Sequence, residues 1–320
     1  MQRPPARPEG DPRNTPVILR RTLLRQGIDD YAIARLLKDG TLVRVRRGAF
    51  ADGPTAARLD PAGMHGLRAR AVLQQAKTPL VLSHVSACLE WDAPDWGLDL
   101  DDVHVTRLDG RLGRHEAGVH QHCGCIGEGD VVRRNGLTVM SPTRAALEVT
   151  TVASAEAGLV AVNHLLHAGH TTRRALGDRY ELMQQWPNTL ATDVVLRLAD
   201  ARLESVGESR FFYLCYRHSL PMPTPQFVVI DERGQTVATV DFAWPELGVF
   251  LEFDGKVKYE KLLRPGESAS DVVVREKIRE DRIRRLTGWR CIRITWADLA
   301  QPERLAAMLR AELRGGRGPR

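Results

Sequence analysis

In the N-terminal part of the chain, short runs of apolar residues are each followed by a glycine that can end a helix. One run at helical spacing ends at Gly27, and a second, which Asp29 or Asp30 can cap, ends at Asp39-Gly40. The members of the first run are Val17, Ile18, Leu19, Leu23 and Leu24. The next stretch reads TLVRVRRGAFAD, which indicates two short strands joined by a basic turn. Two helices followed by a hairpin predict a small winged helix-turn-helix domain.

The middle of the chain mixes helical and extended patterns, which predicts an α+β domain. Strands are predicted over residues 80–82, 103–107 and 136–150, after a helix over residues 64–75. From residue 153 to 202 the apolar spacing is helical, with an interruption at Trp186-Pro187. This last stretch is expected to connect the middle domain to a C-terminal one.

The C-terminal part opens with a predicted helix over residues 204–217, followed by strands over 226–230, 236–242 and 249–254. Side chains alternate between the two faces of a strand. In the third strand Val249, Leu251 and Phe253 therefore share a face suited to the core, and Phe250, Glu252 and Asp254 share the other. A charged helix is predicted over residues 271–287.

Four acidic side chains fall where these elements meet. Asp241 ends one strand, Glu252 and Asp254 lie on the next, and Glu208 lies on the preceding helix. Crowded carboxylates repel one another unless a cation neutralises them, and Mg²⁺ prefers a few carboxylate oxygens. We therefore predict a Mg²⁺ (or Mn²⁺) site in which Asp241 and Glu252 hold the ion, with Glu208 and Asp254 assisting.

Two lysines follow on the carboxylate face if the third strand continues. Lys256 or Lys258 would orient an attacking water or stabilise charge on phosphoryl oxygens, as phosphodiester hydrolysis requires. The alternative is an exposed structural face on which Glu252 and Asp254 pair with the two lysines. The residues by themselves leave both readings open.

The length of 320 residues predicts two or three domains. The boundaries we predict are a disordered arm over residues 1–14, the winged helix-turn-helix over 15–54, the middle domain with its helical connector over 55–190, and the last domain over 191–320. The arm is rich in Pro, Arg and Gly and lacks periodicity. No apolar run reaches 18 residues and the N-terminus has no apolar signal region, so we expect a cytoplasmic protein without a membrane partner.

The net charge of +6 is concentrated at the two ends of the chain. Residues 1–50 carry eleven basic and five acidic side chains, and residues 255–320 carry seventeen and nine. Basic surfaces suit polyanions because binding to phosphates releases condensed counterions, although solvated arginine-rich surfaces are the alternative. We predict that the second helix enters the major groove of DNA and that the hairpin meets phosphate or the minor groove. The residues assigned to this contact are Arg35, Lys38, Arg44, Arg46 and Arg47.

Two further clusters contain residue types that occur in metal sites or catalytic sites. The run HQHCGC, His120 to Cys125, could bind zinc, but one extended stretch cannot easily surround a tetrahedral ion, and an exposed strand is the alternative. Adjacent Ser83 and His84 suggest hydrolysis, yet no partner acid is recognisable, and a serine at a helix start is usually an N-cap. Five cysteines are too few and too scattered for a disulfide framework.

The N-terminal and middle motifs resemble those of AbiEi-family antitoxins of type IV toxin–antitoxin systems. The pattern of a helix, a glycine, a second helix and "G-x-L-x-R-V-x-R-G-x-Y" is similar to residues 23–50, with Phe50 in place of the tyrosine. The family's "L-S-H-x-S-A", "V-H-V-T" and "G-L-x-V-T-S-P-x-R-T-L-L-D" resemble residues 82–87, 103–106 and 136–148, with Glu148 in place of the aspartate. This resemblance implies a DNA-binding antitoxin with a cognate toxin as partner.

The C-terminal motifs resemble an uncharacterised family related to very-short-patch-repair endonucleases, within the PD-(D/E)xK superfamily. The family pattern "V-D-x-x-W-P … I-E-x-D-G-x-x-H … G-W-x-V-x-R-x-T" is similar to residues 240–245, 251–258 and 288–295, with Lys258 in place of the histidine. The resemblance implies a restriction-endonuclease-like α/β/α core. The lysine that the superfamily usually has two residues after the glutamate is replaced here by Asp254.

The sequence thus predicts a multidomain α+β and α/β protein that binds DNA and carries a Mg²⁺-dependent endonuclease-like domain, in phage defence or a toxin–antitoxin setting. The alternative is a non-enzymatic repressor or antitoxin whose nuclease-like domain only binds nucleic acid or a partner. A third interpretation is that the protein acts on RNA. The target sequence and the oligomeric state do not follow from the residues.

Overall fold

The computed structural model describes residues 7–8, 10–183, 186–254 and 269–315, with the side chains of residues 269–276 left out. The chain forms two compact units, Met1–Ala199 and Asp200–Arg320. The fold is mixed α/β, with one three-stranded, one four-stranded and one six-stranded sheet among the described residues. In this part of the chain no helix is both long and apolar enough to cross a membrane.

The first unit opens with a small helical and hairpin region. Its elements are a 3-10 helix (Pro12–Asn14), β1 (Ile18–Leu19), α1 (Arg20–Arg25), α2 (Asp30–Lys38), β2 (Leu42–Arg46) and β3 (Ala49–Asp52). The second helix and the hairpin lie where the sequence predicts them. The Asp29 carboxylate caps α2 by accepting the backbone N–H of Ala32 at 2.8 Å, and Gly27 and Gly40 adopt positive φ angles beyond the two helix ends.

The first predicted helix begins later than its apolar spacing suggests. Ile18 and Leu19 form a strand that pairs antiparallel with Phe50 and Ala49, which gives a sheet of order β1-β3-β2. The β-branched Ile18 suits a strand, and pairing with β3 supplies backbone hydrogen bonds that a helix start would lack. The prediction of helix over residues 17–19 is therefore wrong.

The described part of the predicted disordered arm adopts a defined conformation. The guanidinium of Arg7 donates to Glu90 at 3.0 Å, and that of Arg13 donates to Asp92 at 2.7 Å. Pro12 lies at the start of the 3-10 helix, which Asp11 caps. These ion pairs, which local composition cannot reveal, hold residues 7–8 and 10–14 against the middle region, in contrast to the prediction.

The rest of the first unit is built on a mixed six-stranded sheet. The strand order is β6-β7-β5-β4-β9-β8, and the β5–β7 and β4–β9 pairs are parallel. The elements are α3 (Gly53–Ala56), α4 (Pro61–Gln75), β4 (Leu80–Leu82), α5 (His84–Glu90), β5 (Val103–Arg107), β6 (Arg114–Glu116), β7 (Val119–His122), β8 (Val131–Arg134), β9 (Leu137–Met140), α6 (Pro142–Val149), α7 (Ala155–His167), α8 (Arg173–Glu181) and α9 (Leu190–Leu198).

The strand predicted over residues 136–150 is only partly correct. Strand β9 ends at Met140, and α6 begins at Pro142. Proline at the first position of a helix has no N–H to leave unpaired, and its φ angle is already helical. Helix α6 then buries Arg144 and Glu148 among apolar neighbours.

The second unit combines a four-stranded sheet with helices. Its elements are α10 (Val206–Arg217), β10 (Thr224–Ile230), β11 (Thr236–Trp244), a 3-10 helix (Pro245–Leu247), β12 (Val249–Asp254), α11 (Ala269–Thr287), β13 (Arg290–Thr295), α12 (Trp296–Leu299) and α13 (Pro302–Arg314). The strand order is β10-β11-β12-β13, antiparallel except for the β12–β13 pair. The unit begins at residue 200, after α9, whereas the sequence places the domain boundary at 190/191.

Both faces of this sheet are covered. On one face the ring of Phe211, from α10, lies 4.8 Å from that of Phe242 on β11. On the other face Phe250 belongs to the same buried cluster as Ile283 of α11. Because both faces of these strands are buried, Asp241 of β11 and Glu252 of β12 lie inside the protein rather than on its surface.

Candidate nucleic-acid interface and carboxylate site

Helix α2 presents a polar face with two cationic side chains. Arg35 and Lys38 are exposed, and Tyr31, one turn earlier, is 82% exposed. Ile33, on the opposite face, is buried with Leu23, Leu42 and Phe50. This spacing of three to four residues aligns Tyr31, Arg35 and Lys38 along one stripe, free to contact a large partner.

The β2–β3 hairpin carries the other three predicted contact residues. Arg44 and Arg47 are exposed. Arg46 differs because it is half-buried, and this burial lowers the pKa of its guanidinium. Gly48, at φ +74, allows the tight turn between the strands.

Arg46 lines a cleft of about 340 Å³, which we call the basic cleft. Its other cationic lining residues are Lys77, Arg107 and Arg114. Two acidic side chains offset part of this charge, since Arg107 pairs with Asp109 at 2.5 Å and Arg114 with Glu116 at 3.0 Å. The cleft extends the cationic surface of the hairpin toward strands β5 and β6, which the sequence did not reveal.

In the second unit, Glu208 lies near the start of α10 and is 3% exposed. Its carboxylate accepts hydrogen bonds from the Ser205 hydroxyl at 2.7 Å and the Gln226 amide at 3.1 Å. Burial, and secondarily repulsion from Asp241, raises the pKa of Glu208. Gln226 has a positive φ angle of 49°, an uncommon backbone conformation for this residue type.

Asp241 and Glu252 are also buried, at 8% and 5% exposure. Asp241 accepts the backbone N–H of Phe253 at 2.8 Å, so it bridges β11 and β12. Glu252 accepts from the guanidinium of Arg279 on α11 at 2.7 Å, and Arg279 also donates to the Thr239 carbonyl. Glu252 is therefore buried rather than on an exposed face, and the pairing with Lys256 and Lys258 in that alternative falls outside the described residues.

Asp254 does not join this buried group. It lies at the end of β12, partly exposed, and pairs with Arg293 of the neighbouring strand at 3.1 Å. Arg293 also pairs with Glu280 at 2.7 Å. Lys256 and Lys258 lie outside the described residues. The structure thus brings Glu208 close to Asp241 and holds Glu252 with Arg279, while Asp254 belongs to a separate ion-pair network.

The predicted clusters of the middle region are rearranged. Cys123 and Cys125 are exposed free thiols, which fits the alternative of an exposed strand end for that part of HQHCGC. His122 instead turns toward His104 and His84, which are distant in sequence. The zinc cluster of His120 to Cys125 is therefore not assembled as a set.

The Ser83-His84 pair also lacks the geometry of a hydrolase. The Ser83 hydroxyl lies 3.0 Å from Nδ1 of His84, and Glu148 Oε2 lies 3.7 Å from the same nitrogen. A catalytic triad needs the serine and the acid on opposite ring nitrogens. Ser83 stands at the N-cap of α5 as predicted, but its side chain makes no cap; the Glu148 carboxylate accepts the His84 backbone N–H instead, at 3.2 Å.

Comparison with known proteins bears on the first of these regions. Residues 13–51 match the model of a family described as "Transcriptional regulator, AbiEi antitoxin". No curated protein matches the chain.

The matched segment begins within the 3-10 helix and ends within β3. It includes α2 and nearly all of the hairpin, with all five predicted contact residues. The basic cleft adds residues beyond the match, from α4 onward. The AbiEi-like segment therefore coincides with the cationic α2–hairpin surface.

Proposed function

We propose that this protein is a DNA-binding transcriptional regulator of antitoxin type, with residues 15–54 acting as its winged helix-turn-helix. The observation that carries the proposal is the AbiEi family match over the segment that presents the cationic face of α2 and the hairpin. In this arrangement α2 enters the major groove with Arg35 and Lys38, and the hairpin is the wing. Wing residues Arg44 and Arg47 contact the phosphate backbone or the minor groove.

The basic cleft gives the DNA backbone a second line of contact. Arg46, Lys77, Arg107 and Arg114 converge on one concave surface beside the wing. Phosphates entering the cleft would restore the solvation that Arg46 has lost through burial, because guanidinium groups pair with phosphate oxygens in bidentate geometry. A toxin encoded beside this gene is the expected partner of the antitoxin role.

The first prediction concerns the wing. The double variant Arg46→Ala, Arg47→Ala should bind the protein's own promoter DNA more weakly. Because the lost contacts are to phosphates, its affinity for other DNA sequences should fall by about the same factor. The slope of log K against log salt should become shallower by about 2, since each lost phosphate contact contributes about 0.9. Fluorescence anisotropy with labelled upstream DNA at several salt concentrations measures both quantities.

A matched control removes two arginines elsewhere. Arg174→Ala with Arg314→Ala makes the same change in net charge on exposed helical positions. This control should keep the salt slope of the parent protein. Equal losses in both double variants would mean that net charge, rather than the wing, governs binding.

A second candidate function rests on the carboxylates of the second unit. We propose that Glu208, Asp241 and Glu252 form the acidic centre of a PD-(D/E)xK-like phosphodiesterase, with Mg²⁺ held by Asp241 and Glu252. The supporting observation is the burial of all three carboxylates, with the pKa of Glu208 raised by burial and by Asp241. Binding of the ion would draw Glu252 away from Arg279, whose guanidinium could then neutralise charge on the phosphoryl group.

The second prediction tests this centre. Wild-type protein with Mg²⁺ should cleave DNA, and Asp241→Asn should lower the rate by about 100-fold or more, because a metal ligand is lost. Gel analysis of plasmid and of linear duplex, with and without EDTA, measures the rate. Glu246→Gln, at an exposed carboxylate of the same unit, is the control that should retain activity.

Two results would remove the phosphodiesterase from consideration. One is the absence of cleavage of DNA and RNA by the wild type, and the other is equal cleavage by wild type and Asp241→Asn. Retained promoter binding in the same preparations would then leave the regulator as the function. The two candidates are thus separable in one set of proteins.

A further inference from the structure

Three histidines from separate parts of the sequence meet beside the sheet of the first unit. In the parallel pair β5–β7, His104 lies opposite His120, and Thr106 lies opposite His122. Alternation along β7 therefore directs His120 and His122 to the same face as His104. His84 is the first residue of α5, which follows the end of β4 in the chain, and its ring lies over the same face.

The three side chains lie close enough to share one ligand. Nitrogen atoms of His84, His104 and His122, one from each ring, all lie within 4.8 Å of one another. Nδ1 of His104 is 2.9 Å from Nε2 of His122, and the ring of His84 stacks on that of His122 at 3.6 Å. Among the described residues, these three histidines are the group of three potential metal ligands whose ligand atoms lie this close together.

We propose that His84, His104 and His122 bind a divalent transition-metal ion, and that Zn²⁺ is the ion that fits best. Three imidazoles with an open fourth position are a common ligand set for zinc, which has no strong geometric preference. Tetrahedral coordination with Zn–N bonds of about 2.0–2.1 Å separates the ligand nitrogens by about 3.3 Å. The His104–His122 nitrogen pair, 2.9 Å apart, has to open to this value, and the nearly parallel rings of His84 and His122 have to turn so that their in-plane lone pairs converge on the ion.

The environment favours neutral imidazoles, which are the metal-binding form. His84 and His104 are buried and His122 is half-buried, so lost solvation disfavours the charged form of each ring. Without an ion, one ring nitrogen of the His104–His122 pair donates its N–H and the other accepts it with its lone pair. A metal ion would accept both lone pairs.

A second layer of contacts orients His84. The Ser83 hydroxyl lies 3.0 Å from Nδ1 and Glu148 lies 3.7 Å from it, which leaves Nε2 for the metal. Glu148 is itself held by Arg144 at 2.7 Å. A hydrogen bond on the second ring nitrogen, here with the Ser83 hydroxyl, fixes the ring orientation of a metal-binding histidine.

The backbone at His84 is consistent with a built site. Its φ angle is +49°, a conformation that is uncommon for residues other than glycine. The strain is maintained by the Glu148 carboxylate on the His84 N–H and by the His104 carbonyl on the Ser83 N–H. Such over-determined strain is characteristic of residues that hold ligands.

Two further histidines continue the row of rings toward the surface. His120 stacks on His122 at 4.1 Å, and His115, which is exposed, stacks on His120 at 5.2 Å. His115 pairs with Asp102 at 2.6 Å, so a carboxylate lies at the outer end. The row of imidazoles therefore extends from the exposed His115 to the buried trio.

The third prediction tests the site on the untagged full-length protein, with Zn²⁺ alone and then Co²⁺ as probes. We expect one equivalent of zinc per chain after dialysis, measured by elemental analysis, and a rise in melting temperature of about 5 °C or more in excess Zn²⁺. Bound Co²⁺ should show visible d–d absorption of a four-coordinate site without a thiolate charge-transfer band. His122→Ala and His104→Ala should each lose the bound metal.

Two control proteins make the result decisive. His167→Ala, at an exposed histidine of α7, and Cys123→Ser with Cys125→Ser should both keep one equivalent and the same Co²⁺ spectrum. Circular dichroism and promoter binding show whether the histidine variants remain folded, and His122→Gln supplies a milder replacement of the same ligand. The proposal is overturned if wild type binds no metal, if a folded His122 variant keeps it, or if the cysteine variant loses it.

Discussion

Replacing Arg144 with leucine should lower the melting temperature of the first unit by about 10 °C. Arg144 is 1% exposed and donates to Glu148 at 2.7 Å and to Asp130 at 2.6 Å, so its removal leaves a buried carboxylate without its cation. Breaking a buried ion pair in this way costs about 3–5 kcal/mol. For a unit of this size each kcal/mol corresponds to about 2–4 °C. Differential scanning calorimetry of the full chain measures the shift.

The control for Arg144 is another arginine of the same unit with the same spacing to its partner. Arg174 lies four residues before Asp178, at 3.7 Å, but its side chain is 91% exposed. Arg174→Leu should leave the transition unchanged, because solvent screens such a pair. A similar shift in both variants would contradict the role of burial.

A further variant identifies the source of the cost. Burial raises the pKa of Glu148, and Arg144 opposes this effect. If the loss in Arg144→Leu arises from an uncompensated carboxylate, adding Glu148→Gln should restore part of the melting temperature. No recovery would mean that lost packing of the arginine, rather than charge, dominates.

The order of helices and strands could be largely predicted from local patterns. Strand β12 runs from Val249 to Asp254 as predicted, and β4 and β5 likewise agree. In these strands alternation or a short β-branched run is bounded by turn residues, so local signals suffice. Strand β1 and the boundary at Met140 were missed because pairing with β3 and the proline start of α6 outweigh the apolar spacing.

The candidate sites depended more on tertiary contacts. Glu208 and Asp241 were predicted to contribute to one site, and the pKa of Glu208 is raised mainly by burial and secondarily by repulsion from Asp241. The pairing of Glu252 with Arg279 could not be predicted, since it depends on how α11 crosses the sheet. Burial distinguishes a carboxylate centre inside the protein from a solvated charged face on its surface. A sequence pattern does not show burial.

The histidine trio shows the same limit more clearly. The sequence drew attention to His120 and His122 because they are adjacent to two cysteines. The partners of His122, however, are His104 on the neighbouring strand and His84 on α5. The parallel register of β5 with β7 brings His104 and His122 together, and α5, which follows β4, adds His84. Parallel strands are joined by long crossover connections, so this pairing is not a local signal.

Replacing Phe211 with alanine should lower the melting temperature of the second unit by about 10 °C or more. The ring is fully buried, 4.8 Å from Phe242 and 6.3 Å from Trp244. Removing a buried phenylalanine costs about 3–5 kcal/mol, because apolar contacts are lost and a cavity remains. Calorimetry of the full chain measures this, and the transition of the first unit should not move.

Phe211 also connects stability to the acidic centre. It lies one helical turn after Glu208 on α10, and it packs on the residue that follows Asp241 on β11. A cavity at this contact should loosen the Glu208–Asp241 pair as well, so the DNA cleavage proposed for this centre should fall even at temperatures where the variant is folded. Phe211→Leu, which fills part of the space, should give a smaller loss of both. Ile230→Ala, at a position 60% exposed on β10, should change neither. A stability loss in Phe211→Ala with undiminished cleavage would mean that packing between α10 and β11 does not position the carboxylates.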